Sequence, residues 1–333
     1  MRGAVGMVEV WRGGRVECVH NGHAVVVGER GEIVAAWGDP ETVVFPRSAC
    51  KMVQALPLVE SGAAAGLSEA ELALACASHQ GAALHVGAVS RWLDRLGLAE
   101  PDLRCGAHEP ADRTERDRLI RAHEAPCQIH NNCSGKHAGF LTLARHLKAG
   151  PEYVDLDHPV QRAVRQAFEE VTGVESPGWG IDGCSAPNFA TTLVGLGRAM
   201  ARFAAAGETG DARTQAMNAL RRAMAAYPEH VAGEGRACTE LMRAMGGRVA
   251  IKTGAEGVFV AMVPARRMGV AIKIADGAGR AAEAALVGIL ARLGVLDADD
   301  PAARRRLGAP IRNWRGLETG EIRLAEGFAA QPV

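Results

Sequence analysis

The chain has 333 residues, of which 48% are hydrophobic and 23% are charged, and its formal net charge is zero. These are the proportions of a globular protein, and no long basic run indicates binding to nucleic acid or to an anionic membrane surface. No apolar segment has the length of a membrane span, and the first ten residues lack the pattern of a signal peptide. We therefore expect a cytoplasmic protein without nucleic-acid or membrane partners.

The two ends of the chain have the pattern of β-strands, and the middle has mainly the pattern of helices. The predicted strands cover residues 8–11, 15–19, 24–28, 33–37, 249–252, 258–263, 269–274 and 322–324. Gly13-Gly14, Asn21-Gly22 and Arg30-Gly31 separate the first strands, and Asn21-Gly22 is typical of a tight hairpin turn. Helices are predicted over residues 48–60, 68–76 and 277–293 and from residue 83, and the second of these begins with the capping-box pattern of Ser68 and Glu71.

This distribution predicts an α+β fold with one antiparallel sheet built from the N- and C-terminal segments. We expect residues 1–333 to form a single catalytic unit. Its sheet part would cover approximately residues 1–60 and 248–333, and its helical part residues 61–247.

Lysine is rare in this chain, which has 38 lysines and arginines together. Only five are lysines: Lys51, Lys136, Lys148, Lys252 and Lys273. Arginine effectively never loses its proton, whereas a lysine can become a neutral base or a metal ligand. Three of the five lie in the motifs described next, which makes them candidates for chemistry.

The first motif is Ser48-Ala-Cys-Lys51. Residues three apart share one face of a helix, so the hydroxyl and the amine can form a hydrogen bond. A lysine whose pKa is lowered can take the proton of the serine and make it a nucleophile. The same spacing occurs by chance in many helices, so the motif alone is weak evidence.

Two further motifs follow along the chain: Ser-His-Gln-Gly from Ser78, after a predicted helix, and Lys-Thr-Gly from Lys252, at the end of a predicted strand. A helix cap would explain the former, and a strand ending in a turn would explain the latter. The order Ser-x-x-Lys, serine loop, Lys-Thr-Gly is that of serine β-lactamases and penicillin-binding proteins. The combination therefore favours a serine hydrolase.

Two polar loops, at residues 131–137 and 181–188, each contain one cysteine, Cys133 and Cys184. If the fold brings the loops together, the two thiolates could share a zinc ion with Lys136, His137 or water. Because histidine is the commoner nitrogen ligand, general chemistry favours His137 over Lys136. Cys133 could instead be a nucleophile with His137 as its base, or both cysteines could simply be buried.

Five segments together resemble the rhizobial-type L-asparaginase family. They are Phe45-Pro-Arg-Ser-Ala-Cys-Lys51, Cys76-Ala-Ser-His-Gln-Gly81 with His85, His130-Asn-Asn-Cys-Ser-Gly-Lys-His137, Asp182-Gly-Cys-Ser-Ala-Pro-Asn188 and Lys252-Thr-Gly-Ala-Glu-Gly257. The resemblance implies a fold like those of serine β-lactamases, penicillin-binding proteins and glutaminases. It also implies hydrolysis of L-asparagine to L-aspartate and ammonia by a homodimer.

The resemblance further implies roles for individual residues. Ser48 with Lys51, and Ser78 with Lys252, would form two Ser–Lys pairs, with Ser48 as the expected nucleophile. The implied zinc ligands are Cys133, Lys136 and Cys184 with water, which replaces the general preference for histidine. The residues expected to contact the substrate or the surroundings of the metal are Arg47, His137, Asp182, Ser185 and Asn188.

Three other functions remain open from the sequence: a glutaminase, a β-lactamase-like hydrolase or peptidase, and a non-catalytic regulator that binds zinc or an amino acid. The first two would use the same Ser–Lys groups on other substrates. The third would bind its ligand without turning over any amide.

Overall fold

The terminal segments of the chain form one antiparallel sheet, which confirms the predicted α+β class. The structure is a computed structural model, and it describes residues 2–333. Its strands are β1 (Val5–Arg12), β2 (Arg15–Val27), β3 (Ile33–Trp37), β4 (Val43–Val44), β5 (Trp179–Ile181), β6 (Pro187–Phe189), β7 (Thr191–Thr192), β8 (Ala250–Thr253), β9 (Val258–Val263), β10 (Met268–Ile274), β11 (Pro310–Arg312) and β12 (Glu318–Leu324). The sheet has the order β11-β12-β1-β2-β10-β9-β8, and β3 also pairs with β2. Two small two-stranded antiparallel sheets, β4 with β7 and β5 with β6, lie outside it.

The hairpin predicted at Asn21-Gly22 is wrong, because both residues lie inside the long strand β2. Gly22 pairs with Ile274 of β10, and a Cβ atom at Gly22 would lie 2.6 Å from the backbone oxygen of Lys273. Glycine is therefore needed there because a neighbouring backbone approaches closely. The predicted breaks at Gly13-Gly14 and near Gly31 are turns, each with a positive φ.

The helices are α1 (Lys51–Gln54), α2 (Leu56–Glu60), α3 (Glu69–Ala75), α4 (Ala83–Arg95), α5 (Arg113–Ala122), α6 (Ser134–His146), α7 (Pro159–Thr172), α8 (Leu193–Ala205), α9 (Ala212–Ala226), α10 (Pro228–Val231), α11 (Ala237–Ala244), α12 (Gly279–Arg292), α13 (Pro301–Arg304) and α14 (Glu326–Ala330). Ser68 caps α3 as predicted, since it accepts a hydrogen bond from the backbone of Glu71 while the Glu71 side chain accepts one from the backbone of Ser68. Within residues 2–333, no helix is both long enough and apolar enough to cross a membrane.

The helix predicted over residues 48–60 is divided into three pieces. A 3₁₀ turn over Arg47–Cys50 precedes α1, and α2 starts again after Ala55. Pro57 lies in the first turn of α2, where its missing N–H costs no helical hydrogen bond but prevents one continuous helix. Ser48 therefore lies in the 3₁₀ turn, and Lys51 is the first residue of α1.

Contacts between Cα atoms divide the chain into two compact units. The sheet unit contains the residues up to Ala49, Thr191–Ala205 and Glu240–Val333. The helical unit contains Cys50–Ala190 and Ala206–Thr239. The expectation of a single catalytic unit over the whole chain stays a prediction.

The helix α8 belongs to the sheet unit, although the sequence placed residues 61–247 in the helical part. Its backbone lies directly on β10, because a Cβ atom at Gly269 would come within 2.3 Å of the backbone oxygen of Gly197. Every residue of β9 is buried, and both α8 and α12 contact this strand. The core of the sheet unit therefore lies between the central strands and these two helices.

Candidate active site

The Lys51 side chain is fully buried in the helical unit. Its Nζ atom donates hydrogen bonds to the Ala77 backbone oxygen, to Ser78 Oγ at 3.1 Å and to Cys133 Sγ at 3.1 Å. The amine thus contacts one predicted catalytic hydroxyl and one predicted metal ligand.

Ser78 follows α3 in a short extended loop that other backbone segments hold in place. The Ser78 N–H donates to Val231 O at 2.9 Å, and the Gln80 N–H donates to Ala232 O at 3.0 Å. The structure therefore brings Ser78 to Lys51, a contact that the sequence analysis did not predict. The predicted pairing of Ser78 with Lys252 stays a prediction.

The predicted metal ligands Cys133, Lys136 and Cys184 meet in the helical unit. Cys133 is the N-cap residue of α6, and Lys136 lies in the first turn of that helix. Cys184 lies in the loop between β5 and β6, and its Sγ atom accepts a hydrogen bond from Lys136 Nζ at 3.0 Å. All three side chains are buried.

The electrostatics of this cluster favour a thiolate beside a cation. A hydrogen bond from the Cys133 thiol, helped by the Lys136 ammonium, lowers the pKa of Cys184 well below its usual value. Burial opposes a charge on Lys136, but the Cys184 and Cys133 sulfurs outweigh burial and raise the pKa of Lys136. The same hydrogen bond, together with burial, raises the pKa of Cys133 well above its usual value, so the negative charge lies on Cys184.

His137 lies beside the cluster as a neutral ring. Burial lowers its pKa to about 4, against the opposing effect of Cys184. Its Nδ1 atom is 2.9 Å from the Tyr153 hydroxyl, whose oxygen accepts the Arg104 N–H at 2.7 Å. Among residues 2–333, the buried His137 Nε2 atom has no hydrogen bond of ordinary geometry.

The donor set fits a zinc ion. Thiolate sulfur is a suitable ligand for zinc, the Lys136 amine can join it if metal binding displaces its proton, and an orphaned ring nitrogen lies beside them. In the described part of the chain, no three His, Cys, Asp or Glu side chains are grouped so that they could hold a metal. A metal bound by Cys133 and Cys184 would therefore need a ligand of another type, and Lys136 is adjacent to both sulfurs.

Three residues predicted to contact the substrate lie around the loop of Cys184. Ser185 has a positive φ of 68°, an uncommon conformation for a residue other than glycine. The Ser185 N–H donates to the Asp182 backbone oxygen at 2.9 Å, which closes a tight turn. Asn188 is buried on β6, and its Oδ1 atom has no hydrogen-bond partner within residues 2–333. This amide oxygen is available to a ligand.

The remaining predicted residues, Arg47, Ser48 and Lys252, lie in the sheet unit. Arg47 has a left-handed φ of 52° directly before Ser48, a type of backbone strain that concentrates at functional sites. The Lys-Thr-Gly motif ends against this segment, because a Cβ atom at Gly254 would lie 2.7 Å from the Pro46 oxygen. The fold thus brings two of the predicted motifs together within the sheet unit.

The sequence analysis missed two features of the site. Tyr153 contacts His137, and its only signal was rarity, since the chain has just two tyrosines. The contact between Lys51 and Cys133 joins residues 82 positions apart and has no local sequence signal.

The comparisons with known proteins identify the family. The family model described as L-asparaginase II matches residues 8–324, nearly the whole chain. The chain belongs to the L-asparaginase II family. Members of this family are amidohydrolases acting on L-asparagine, so this protein is a hydrolase of the asparaginase type. A comparison with curated proteins gives no match.

Several solved structures are similar to this member of the L-asparaginase II family at low sequence identity. A putative β-lactamase from Bacteroides dorei DSM 17855 is 14% identical, with 76% of this chain and 84% of that chain covered and a TM-score of 0.44. A β-lactamase from Mycobacterium bovis is 14% identical, with 81% and 94% covered and a TM-score of 0.41. Mglu in its tris and glutamate form is 14% identical, with 84% and 60% covered and a TM-score of 0.45.

Proposed function

We propose that this protein hydrolyses L-asparagine to L-aspartate and ammonia through an acyl-enzyme formed at a Ser–Lys site. Membership of the L-asparaginase II family supports the substrate. The observation that carries the mechanism is the fully buried Lys51 amine, which lies 3.1 Å from the hydroxyl of Ser78, the second serine of the proposed site. A buried amine next to a hydroxyl is the arrangement that serine activation by lysine requires.

In this mechanism Ser48 attacks the side-chain amide carbonyl of asparagine, and Lys51 takes the proton of Ser48. Only two residues separate Ser48 from Lys51 along the chain. The Ser78 hydroxyl, hydrogen-bonded to the same amine, passes the proton to the departing ammonia. Water then hydrolyses the ester and releases aspartate. Lys252, which is also buried, would support the second serine, as the sequence resemblance implies.

We propose that the polar residues expected from the family resemblance hold the α-amino and α-carboxylate groups of the substrate. Arg47 supplies a permanent positive charge for a carboxylate. Asp182 offers a carboxylate for an amine, and Asn188 offers an amide oxygen without a partner among residues 2–333. Ser185 and His137 would complete the contacts from the hairpin loop and from α6.

We propose that Cys133, Lys136 and Cys184 hold a zinc ion. When bound, zinc would supply a Lewis acid that can orient a substrate oxygen. The residues themselves hold the loop of Cys184 against α6, which fixes the position of Ser185 and Asn188. Metal analysis of the purified protein, together with analysis of Lys136→Ala, tests this assignment. We also propose a homodimer, for which light scattering should give twice the 35.0 kDa chain mass.

The test of the proposed function is ammonia release from asparagine and from glutamine, with and without a chelator. We expect turnover of asparagine and a fall of roughly 10³-fold or more in Ser48→Ala, the scale on which loss of a catalytic nucleophile acts. Near-normal ammonia release by Ser48→Ala would contradict the mechanism. Faster turnover of glutamine than of asparagine would contradict the proposed substrate.

A further inference from the structure

A chain of buried hydrogen bonds connects the loop of Ser78 to the first turn of α6. At its centre is His79, which is 1% exposed. The Gly81 N–H donates to His79 Nδ1 at 3.1 Å, and His79 Nε2 lies 2.9 Å from Ser134 Oγ. The Ser134 hydroxyl donates to the Ile129 backbone oxygen at 2.8 Å. These three hydrogen bonds link Gly81, His79, Ser134 and Ile129 in series.

The directions of these hydrogen bonds follow from the groups present. Because His79 Nδ1 accepts an N–H, the proton of the neutral ring must be on Nε2, which donates to Ser134. Burial lowers the pKa of His79 well below its usual value, so the ring is neutral near pH 7. A neutral ring in one fixed tautomer holds two loops at a fixed distance without adding a charge.

The two loops that His79 joins carry the groups of the proposed site. On one side its neighbour Ser78 lies at Lys51, and the His79 backbone N–H donates to Asn132 O at 3.2 Å. On the other side Ser134 follows Cys133, which contacts Lys51 as well. The contact between His79 and Ser134 therefore joins the loop of Ser78 to the start of α6, where Cys133 lies.

We propose that His79 is a positioning residue that places the Ser78 hydroxyl at Lys51 through its Nε2–H donation to Ser134. This inference rests on the proposed Ser–Lys function. The His79 side chain forms its hydrogen bonds with Gly81 and Ser134. Its contribution is geometric, so its loss should lower kcat while KM changes little.

The experiment compares two amide replacements that separate the two ring nitrogens. The Nε2 atom of a glutamine reaches the position of His79 Nε2, so His79→Gln keeps a donor for Ser134. An asparagine side chain reaches only the position of Nδ1, so His79→Asn keeps the contact with Gly81 and loses the one with Ser134. Ser134→Ala removes the acceptor, and the double variant His79→Asn/Ser134→Ala closes a double-mutant cycle.

We expect kcat for asparagine to fall about 10- to 100-fold in His79→Asn and in Ser134→Ala, the usual cost of losing an orienting partner. KM should change less than about threefold. His79→Gln should retain most of the wild-type kcat, and the double variant should be no slower than the slower single variant. Independent, multiplying losses in the double variant would overturn the inference, and so would equal losses in His79→Gln and His79→Asn.

A stability control separates positioning from general loosening of the helical unit. Trp92 Nε1 donates to Thr142 Oγ1 at 3.0 Å, a buried hydrogen bond between α4 and α6 that involves no residue of the proposed site. Thr142→Val should lower Tm as much as His79→Asn does but leave kcat unchanged. Equal losses of kcat in both variants would contradict the inference. A loss of turnover in Ser78→Ala with none in His79→Asn would also contradict it, and would leave the proposed function standing.

Discussion

Lys51 and Lys136 are two buried lysines of the helical unit, and each donates a hydrogen bond to a cysteine sulfur at nearly the same distance, 3.1 Å and 3.0 Å. Their other surroundings differ. The amine of Lys51 also contacts a serine hydroxyl and a backbone oxygen, whereas Lys136 lies between two sulfurs that raise its pKa against the effect of burial. These different neighbours are the reason for proposing proton transfer at Lys51 and metal binding at Lys136.

The largest expected effect that tests this comparison is the loss of the base. Lys51→Arg keeps the positive charge but cannot give up its proton, so kcat for asparagine should fall by about 10³-fold or more. Lys51→Met, which is close in length and uncharged, should be equally slow. Circular dichroism and Tm would show that both variants fold, and near-wild-type turnover by Lys51→Arg would contradict the role of the amine.

The next effect concerns the other lysine. Lys136→Arg keeps a cation beside Cys184 but cannot supply a neutral nitrogen to the metal. Zinc affinity should therefore fall at least about 100-fold, which is the largest loss usually seen when a residue hydrogen-bonded to a metal ligand is replaced. Titration of the metal-free protein with zinc against a competing chelator measures this. Lys51→Met is the matched control, and its zinc affinity should remain within about tenfold of the wild type. If Lys136→Arg binds zinc as the wild type does, the two lysines do not differ as described.

A smaller effect is expected at Tyr153. Tyr153→Phe removes the hydroxyl that accepts the Arg104 N–H and contacts His137, which leaves two buried polar groups without this partner. The free energy of unfolding in urea should fall by about 1–3 kcal/mol. A variant as stable as the wild type would show that these contacts of Tyr153 do not stabilise the helical unit.

The smallest effect should come from a residue remote from both lysines. Ser68→Ala removes the side-chain cap of α3 and should cost about 1 kcal/mol of stability. Turnover and zinc affinity should remain those of the wild type, because the loop of Ser78 is held by Val231 and Ala232 and not by the start of α3. A loss of turnover here would show that the surroundings of Lys51 depend on the whole helix.

Local patterns predicted much of the fold. The sequence pattern located every strand of the main sheet except β11, and the Ser68 cap and the helix from Ala83 were also correct. Asn21-Gly22 was misread because a glycine required by a close backbone approach has the same sequence signal as a glycine required by a turn. The helix α8 was assigned to the wrong part because its packing on β10 depends on Gly269, about 70 residues further along the chain.

For the site, the sequence located candidate residues but not their partners. Motifs at Lys51, Ser78, Cys133 and Cys184 were visible because polar residues cluster there. The contacts of Lys51 with Ser78 and Cys133 join residues 27 and 82 positions apart. The local spacing of apolar and polar residues cannot predict contacts between residues so far apart along the chain. Tertiary packing alone decides these contacts.

The central claim, acyl transfer to Ser48, is tested most directly by turnover of L-asparagine in the presence of hydroxylamine. An ester on Ser48 would be captured by this stronger nucleophile, so the account predicts β-aspartyl hydroxamate from the wild type and none from Ser48→Ala. Wild-type protein that releases ammonia and aspartate but forms no hydroxamate, or a Ser48→Ala variant that forms as much as the wild type, would contradict it.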